Sequence, residues 1–395
     1  MGVRAGMLML SMVLVAFGLA ACGGAEDEPA EGEAEPPATD SSDDGRDEAD
    51  GEAAEDDEQS SDRADDADPD PERDEDAADE RDEGSDGEEA AAGNELPDPA
   101  EVEANELGHV PVLMYHGIVE EPADEWQMTP EAFREELEFL HEHGYHPIRT
   151  VDLVRGEIDI PAGRSPVVLT FDDTLPTQFD RTDDGEVDPE SAVGIMLDFG
   201  EEHPEFPAVG SFYVTDKRFD DPEQGQEMFA ELHELGFEVG NHTIGHQNLG
   251  TVDSEEVQRQ LALGAEQIRE VVPGGDVATM SLPLGVWPEE RELARTGAHD
   301  GIEYEHEGIL LVGSDPAPSP FAEDFDPLGI PRILAQRGAD GPDASFMSEH
   351  WLEWLEEEPG RKYVSDGDPE TISFPEDDAE RLDPEHADRA NPYEP

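Results

Sequence analysis

Apolar and polar positions alternate in two distinct regimes along the chain. From Leu107 onward, short apolar runs recur between segments of helical spacing. Val110-Pro-Val-Leu-Met-Tyr115 and Pro166-Val-Val-Leu-Thr-Phe171 read as buried strands, as do Ser211-Phe-Tyr-Val214, Phe237-Glu-Val239 and Gly308-Ile-Leu-Leu-Val312. Lys362-Tyr-Val-Ser365 is strand-like too. Between them, Thr129-Pro130 supplies an N-cap and a first-turn proline for a helix bearing Phe133, Leu137 and Leu140, which Gly144 ends. Gln226 to Leu235 reads as a further helix. Asp253 with Glu256 forms a capping box for another, which carries Val257, Leu261 and Ile268. Ser345 to Glu357 reads as a late helix with Trp351 and Trp354 on its apolar face. Strands alternating with helices predict an α/β fold with a mostly parallel sheet, open or barrel-like, in one domain without internal repeats.

Before Leu107 the pattern is different. Arg4 precedes an apolar run from Met7 to Ala21, shorter than the roughly 20 residues a membrane-spanning helix needs. The run ends in Leu19-Ala-Ala-Cys22, so residues 1–21 read as a secretion signal and Cys22, the only cysteine, as a lipidated mature N-terminus. Its small residues before the Cys resemble the bacterial lipobox. A single cysteine excludes an intrachain disulfide and a cysteine metal site. Residues 22–106 are Glu, Asp, Ala, Gly, Ser and Pro with scarcely an aromatic, a composition that predicts a disordered, extended linker. The expected product is lipid-anchored at the cell membrane and faces the extracytoplasmic side, with its folded part at residues 107–395 and an extension from about 300.

Charge sharpens this division. The chain has 105 acidic and 22 basic residues among 395, a formal net charge of -83. Such a balance excludes nucleic acid as a partner, because phosphate neutralisation needs Lys and Arg. Residues 25–106 hold 38 acidic against 4 basic side chains, and residues 107–395 hold 67 against 17, with Lys217 and Lys362 the only lysines. Acid on that scale exceeds what a site requires and reads as a whole-surface adaptation to concentrated salt.

Two loops carry candidate chemistry at strand exits, where parallel α/β folds collect their sites. One is Thr170-Phe-Asp172-Asp173, and the other is Gly240-Asn-His242-Thr-Ile-Gly-His246. Taken singly, an Asp pair in so acidic a chain reads as a solvated turn, and two His at i and i+4 among 13 can arise by accident. Jointly, one Asp and two His can make a facial triad with open positions for water and a substrate oxygen. That ligand type suits Zn, with Co, Ni or Fe compatible.

These two motifs and, more weakly, Leu282-Pro-Leu-Gly285 resemble the polysaccharide deacetylases of the NodB-homology type, carbohydrate esterase family 4. Val112-Leu-Met-Tyr-His116 and the Phe133–Tyr145 stretch with His146-Pro-Ile look like the family's membrane-associated branch, and the likeness runs from about 110 to 290. It implies a distorted (β/α) barrel, a divalent metal held by Asp173, His242 and His246, and Asp172 as general base. It further implies an oxyanion contact from the Leu284 N–H within Pro283-Leu284-Gly285, and a polymeric amino sugar as substrate. This sequence departs from the family in two places. Ser281 stands where the family carries an Arg that orients the base, and a late Leu-x-His motif is missing. His116 is the candidate substitute for that His. Arg332 can bring a cation from another direction, though an Arg at a strand edge paired to a nearby carboxylate is the simpler expectation. Those departures keep a non-catalytic glycan-binding lipoprotein as the alternative reading. Among the four tryptophans, Trp287 is the one expected near substrate, since it closely follows the third motif.

Overall fold

The computed structural model describes residues 96–395 apart from 222, 223, 273, 275, 314, 339, 340 and 359. The expected signal, Cys22 and nearly all of the linker lie outside the described residues. Eight strands form the main sheet: β1 (Val112–Tyr115), β2 (Tyr145–Ile148), β3 (Ser165–Asp172), β4 (Ser211–Val214), β5 (Glu238–Asn241), β6 (Thr279–Ser281), β7 (Gly308–Leu310) and β8 (Ile333–Leu334). Their order is β7-β6-β5-β4-β3-β1-β8, and β2 pairs with β3. Every pairing is parallel. β3 is long enough to pair with β2 at its start and with β4 at its end.

The sheet closes on itself through residues 330–334. Ile330 bridges Leu310 in parallel at the β7 edge, and three residues later Ile333 pairs with Leu113 of β1. The result is the expected α/β fold as a distorted barrel, a closure that leaves few free strand edges. The segment after residue 300, expected as an extension, therefore supplies two strands of the barrel.

Helices α1 (Pro130–Glu142), α2 (Thr150–Arg155), α3 (Ala192–Glu202), α4 (Gly225–Glu234), α5 (Ser254–Arg269) and α6 (Ser348–Glu357) cover the sheet. Thr129 caps α1 by accepting from the Ala132 N–H, and Phe133, Leu137 and Leu140 are buried along one face, as the spacing predicts. Glu136 shares that face. Burial pushes its carboxyl up, and it is satisfied by the Tyr115 hydroxyl at 2.7 Å and by Ser348 of α6. The capping box expected at α5 is half made: Asp253 accepts from the Glu256 N–H, whereas Glu256 turns to Arg259 and Gln260.

One boundary and one strand differ from expectation. The linker was expected to run through residue 106, yet Ala104, Asn105 and Glu106 are buried. Backbone bonds tie Asn105 to Val364 and Glu106 to Ser373. The acidic composition there hides a buried carboxyl group with partners, because Glu106 also accepts from the Ser373 N–H and the Tyr363 hydroxyl. Lys362–Ser365 makes isolated bridges to Asn105 and His109 instead of joining the barrel.

Candidate active site

The carboxyl ends of β3, β5 and β6 bring the two motif loops together. Asp172 ends β3, and Asp173 turns out of it with φ +82°. Asn241 ends β5, and its side chain accepts from the Thr243 N–H at 2.9 Å, which folds the loop so that His242 and His246 face the same point. Five of the ten non-glycine residues with positive φ among the described residues lie here: Asp173, Thr174, Thr243, His246 and Leu284. Backbone held in this region is concentrated at functional sites because the surrounding structure must over-determine it.

Asp173 Oδ1 lies 3.7 Å from His242 Nε2 and 3.3 Å from His246 Nε2. Candidate ligand atoms of all three residues fall within 4.8 Å of one another. Asp173 Oδ1 is buried without a hydrogen-bond partner, an oxygen left for a cation. His242 Nδ1–H donates to the Ser281 carbonyl at 2.8 Å, which leaves Nε2 as the lone-pair nitrogen facing Asp173. Burial above all lowers the His242 pKa and keeps the ring neutral, the form that ligates. These residues fit a divalent metal by donor type, tautomer and an orphaned oxygen.

Asp172 is held on its other side. Arg332 Nη1 donates to Oδ1 at 2.9 Å and Nη2 to Oδ2 at 2.7 Å. Nη2 also reaches Ser281 Oγ at 2.8 Å, and that hydroxyl donates to Asp172 Oδ2 at 3.0 Å. The guanidinium is completely buried and is completed by the Leu311 carbonyl and Thr170 Oγ1. Burial alone would raise the Asp172 carboxyl, but the Arg332 charge and the Arg332 hydrogen bonds outweigh it and hold the group below the usual carboxylate range. The expectation of an Arg at a strand edge is overturned, because the closing strand turns Arg332 into the barrel. Ser281 is small enough to leave room for that guanidinium and bonds to it. The signal was present in Ile330-Pro-Arg-Ile333, a cation between apolar strand residues, a setting in which Arg is rarely buried unless paired.

A cleft of about 360 Å³ opens over this group. His116, which follows β1, lines it beside Asp172 and Asp173, with Nδ1 buried and unpartnered. Burial lowers its pKa. Leu284 stands on a 3₁₀ turn, Pro283–Gly285, with φ +59° and a side chain 59% exposed at the cleft. Pro283 is buried beneath it, and Gly285 abuts Val312. The aromatic wall is Trp126, whose ring meets His116 edge-on at 5.1 Å. Trp287 is not part of the lining; it packs against the core and under the Arg291 guanidinium at 5.0 Å. Proximity to the third motif in sequence misled there, because the chain turns away after Gly285. Trp351 packs against the core, and Trp354 stacks with Arg361, away from the cleft.

Parts of the chain are similar to known proteins. A family model described as polysaccharide deacetylase matches residues 203–299, which include both histidines. A chitooligosaccharide deacetylase of Rhizobium leguminosarum bv. phaseoli is 36% identical over 137 residues, 35% of this chain and 52% of the relative. Another, from Sinorhizobium fredii (strain NBRC 101917 / NGR234), is 28% identical over 159 residues, 40% of this chain and 64% of its own length. The chain thus spans about half to under two thirds of these curated relatives. Among solved structures, the Streptococcus pyogenes deacetylase PplD in complex with acetate aligns at TM-score 0.47 and 15% identity, over 62% of this chain and 97% of its own. Strand order and closure define a distorted parallel α/β barrel. Over residues 203–299 the chain is similar to the polysaccharide deacetylase family.

Proposed function

We propose that the chain is a metal-dependent hydrolase that removes N-acetyl groups from an amino-sugar polymer, peptidoglycan or an N-acetylglucosamine exopolysaccharide. The observation that carries this reading is the Arg332–Asp172 pair beside an intact Asp173, His242 and His246 set. A fully built base next to a full ligand set supports catalysis over mere glycan binding, and Arg332 removes the gap that motivated the binding alternative. Asp173, His242 and His246 would hold the metal, with Zn favoured by ligand type and Co, Ni or Fe compatible. When bound, such an ion supplies Lewis acidity that activates water and polarises the amide carbonyl.

The remaining steps fall to side chains and backbone of the chain. Asp172, ionised and fixed on both oxygens by Arg332, takes the proton from the attacking water. The Leu284 N–H donates to the oxygen that becomes negative as the carbonyl carbon turns tetrahedral. His116, neutral through burial, takes up the proton that Asp172 removed from water and passes it to the departing nitrogen as the C–N bond breaks, which leaves acetate and a free amine. Trp126 offers a flat apolar face to a sugar ring at the cleft mouth. The reading extends to location: lipidation at Cys22 would tether the enzyme outside the membrane, with the acidic linker as spacer and the surface acid as adaptation to salt.

Acetate release from N-acetylglucosamine oligomers with added Zn tests the activity. Wild type should release acetate, and Asp172→Asn should lose about 10²–10⁴ of the rate while it still binds metal. No release by wild type, or undiminished release by the variant, refutes the reading.

A further inference from the structure

Among the described residues, a second set of metal-ligating side chains gathers far from the motif loops in sequence and in the barrel. His141 lies in the last turn of α1, His203 follows the last residue of α3, and Glu205 stands in the connection to β4. In a parallel barrel the helices run against the strands. The ends of α1 and α3 therefore lie at the amino ends of β2 and β4, opposite the cleft. That end of such barrels serves stability.

Their geometry converges. One ligand atom from each residue lies within 4.8 Å of those from the other two. His141 Nε2 and Glu205 Oε1 are 2.9 Å apart, and the His141 and His203 rings stand 4.3 Å apart. Phe199 packs on both imidazoles and Phe206 meets the edge of His141, so the pair rests on an apolar floor. Such a floor shields one side of the group from water. Exposed Glu138, Glu142, Glu201 and Glu202 lie within three residues of His141 or His203 along the chain and add negative charge to the two helix ends.

We propose that His141, His203 and Glu205 form a second divalent-metal site, which takes a borderline ion such as Zn, Co, Ni or Cu and completes its shell with water. Two imidazoles and one carboxylate suit these ions and disfavour Mg and Ca, which prefer all-oxygen shells. The ion fastens the end of α1 to the α3–β4 connection. The site is structural, and it stands or falls independently of the deacetylase reading.

The test is ion stoichiometry on the full chain with Co²⁺, read by calorimetry and by the visible absorption of the bound ion. Wild type should bind two ions with imidazole-type spectra. Asp173→Asn/His246→Ala should keep one, and in that variant Zn²⁺ should raise the melting temperature. Glu205→Gln, an exposed and conservative change, should abolish that rise. His141→Ala/His203→Ala should bind one ion and retain acetate release. A wild-type ion count that neither the His141→Ala/His203→Ala change nor the Glu205→Gln change lowers overturns the proposal.

Discussion

Arg332→Met should convert a well-ordered base into a buried, unpaired carboxylate. Arg332 makes two charge-assisted bonds to Asp172 and a third to Ser281, all inside the barrel. Removing one partner of such a buried pair costs about 3–5 kcal/mol, because the remaining charge has lost its compensation. At about 1.4 kcal/mol per pKa unit, relief of that cost by protonation corresponds to a rise of roughly 2–4 units in the Asp172 pKa. The direction follows from the role. Wild-type Asp172 is held below the usual range and is ionised across the neutral and mildly acidic region. Its base form in the variant would survive only at higher pH. The assay is acetate release from N-acetylglucosamine oligomers at saturating Zn from pH 4 to pH 9, with circular dichroism on the same samples. The acid limb of kcat/KM should move up by roughly two units or more, so the variant's deficit should shrink as pH rises. Arg332→Lys should recover folding better than activity, since an ammonium cannot reproduce the two-pronged contact. The double change Ser281→Arg/Arg332→Ser should recover part of the activity by bringing the cation from the position the family uses. An unmoved acid limb, or a loss of rate that only tracks the loss of folded protein, refutes Arg332 as the residue that positions the base.

Further outcomes can be checked with the same protein. Burial, then the nearby Asp366, pushes the Glu106 carboxyl up to about 8, so the folded state keeps a proton that the unfolded chain releases near 4.5. Folded stability should therefore fall as pH rises from about 4.5 to 8 and level off above, and melting curves of Glu106→Gln should show a flatter dependence over that window. Trp126→Ala should raise KM for oligomers about 3- to 10-fold with kcat little changed, as expected for a lost aromatic contact of about 0.5–1.5 kcal/mol; an unchanged KM would remove the ring from the substrate path. A net charge of -83 should make the fold depend on salt, with circular dichroism lost in dilute buffer and regained in concentrated salt; equal stability in both would refute the salt-adaptation reading.

Much of the site was legible because its residues lie in two short motifs at strand exits. A strand that ends in Asp172-Asp173 and a loop that carries His242 and His246 depend on local pattern, and local pattern survives in sequence. Arg332 did not yield to that logic. It stands 160 residues from Asp172, and its partner is defined only by the way residues 330–334 close the sheet. Trp126 escaped for another reason. It sits in an irregular loop with no periodicity to mark it, whereas Trp287 followed a motif and drew attention without lining the cleft. At the linker boundary, composition hid burial: Asn105 and Glu106 look like more of the acidic tract until their partners Val364 and Ser373 are in place.

Closure of the barrel also has a consequence for the order in which competence arises during synthesis. A chain that emerges from its N-terminus presents Asp172, Asp173, His242 and His246 well before residue 332 exists. Until the last strand inserts, Asp172 sits at the end of an incomplete sheet without its guanidinium. Contacts of such long sequence separation form late, because loop-closure entropy must be overcome first. The same insertion that seals the hydrogen-bonding ring brings the guanidinium to Asp172, so closing the sheet would also complete the proposed base. A chain truncated before residue 330 would retain both motif loops and lack the guanidinium that holds Asp172.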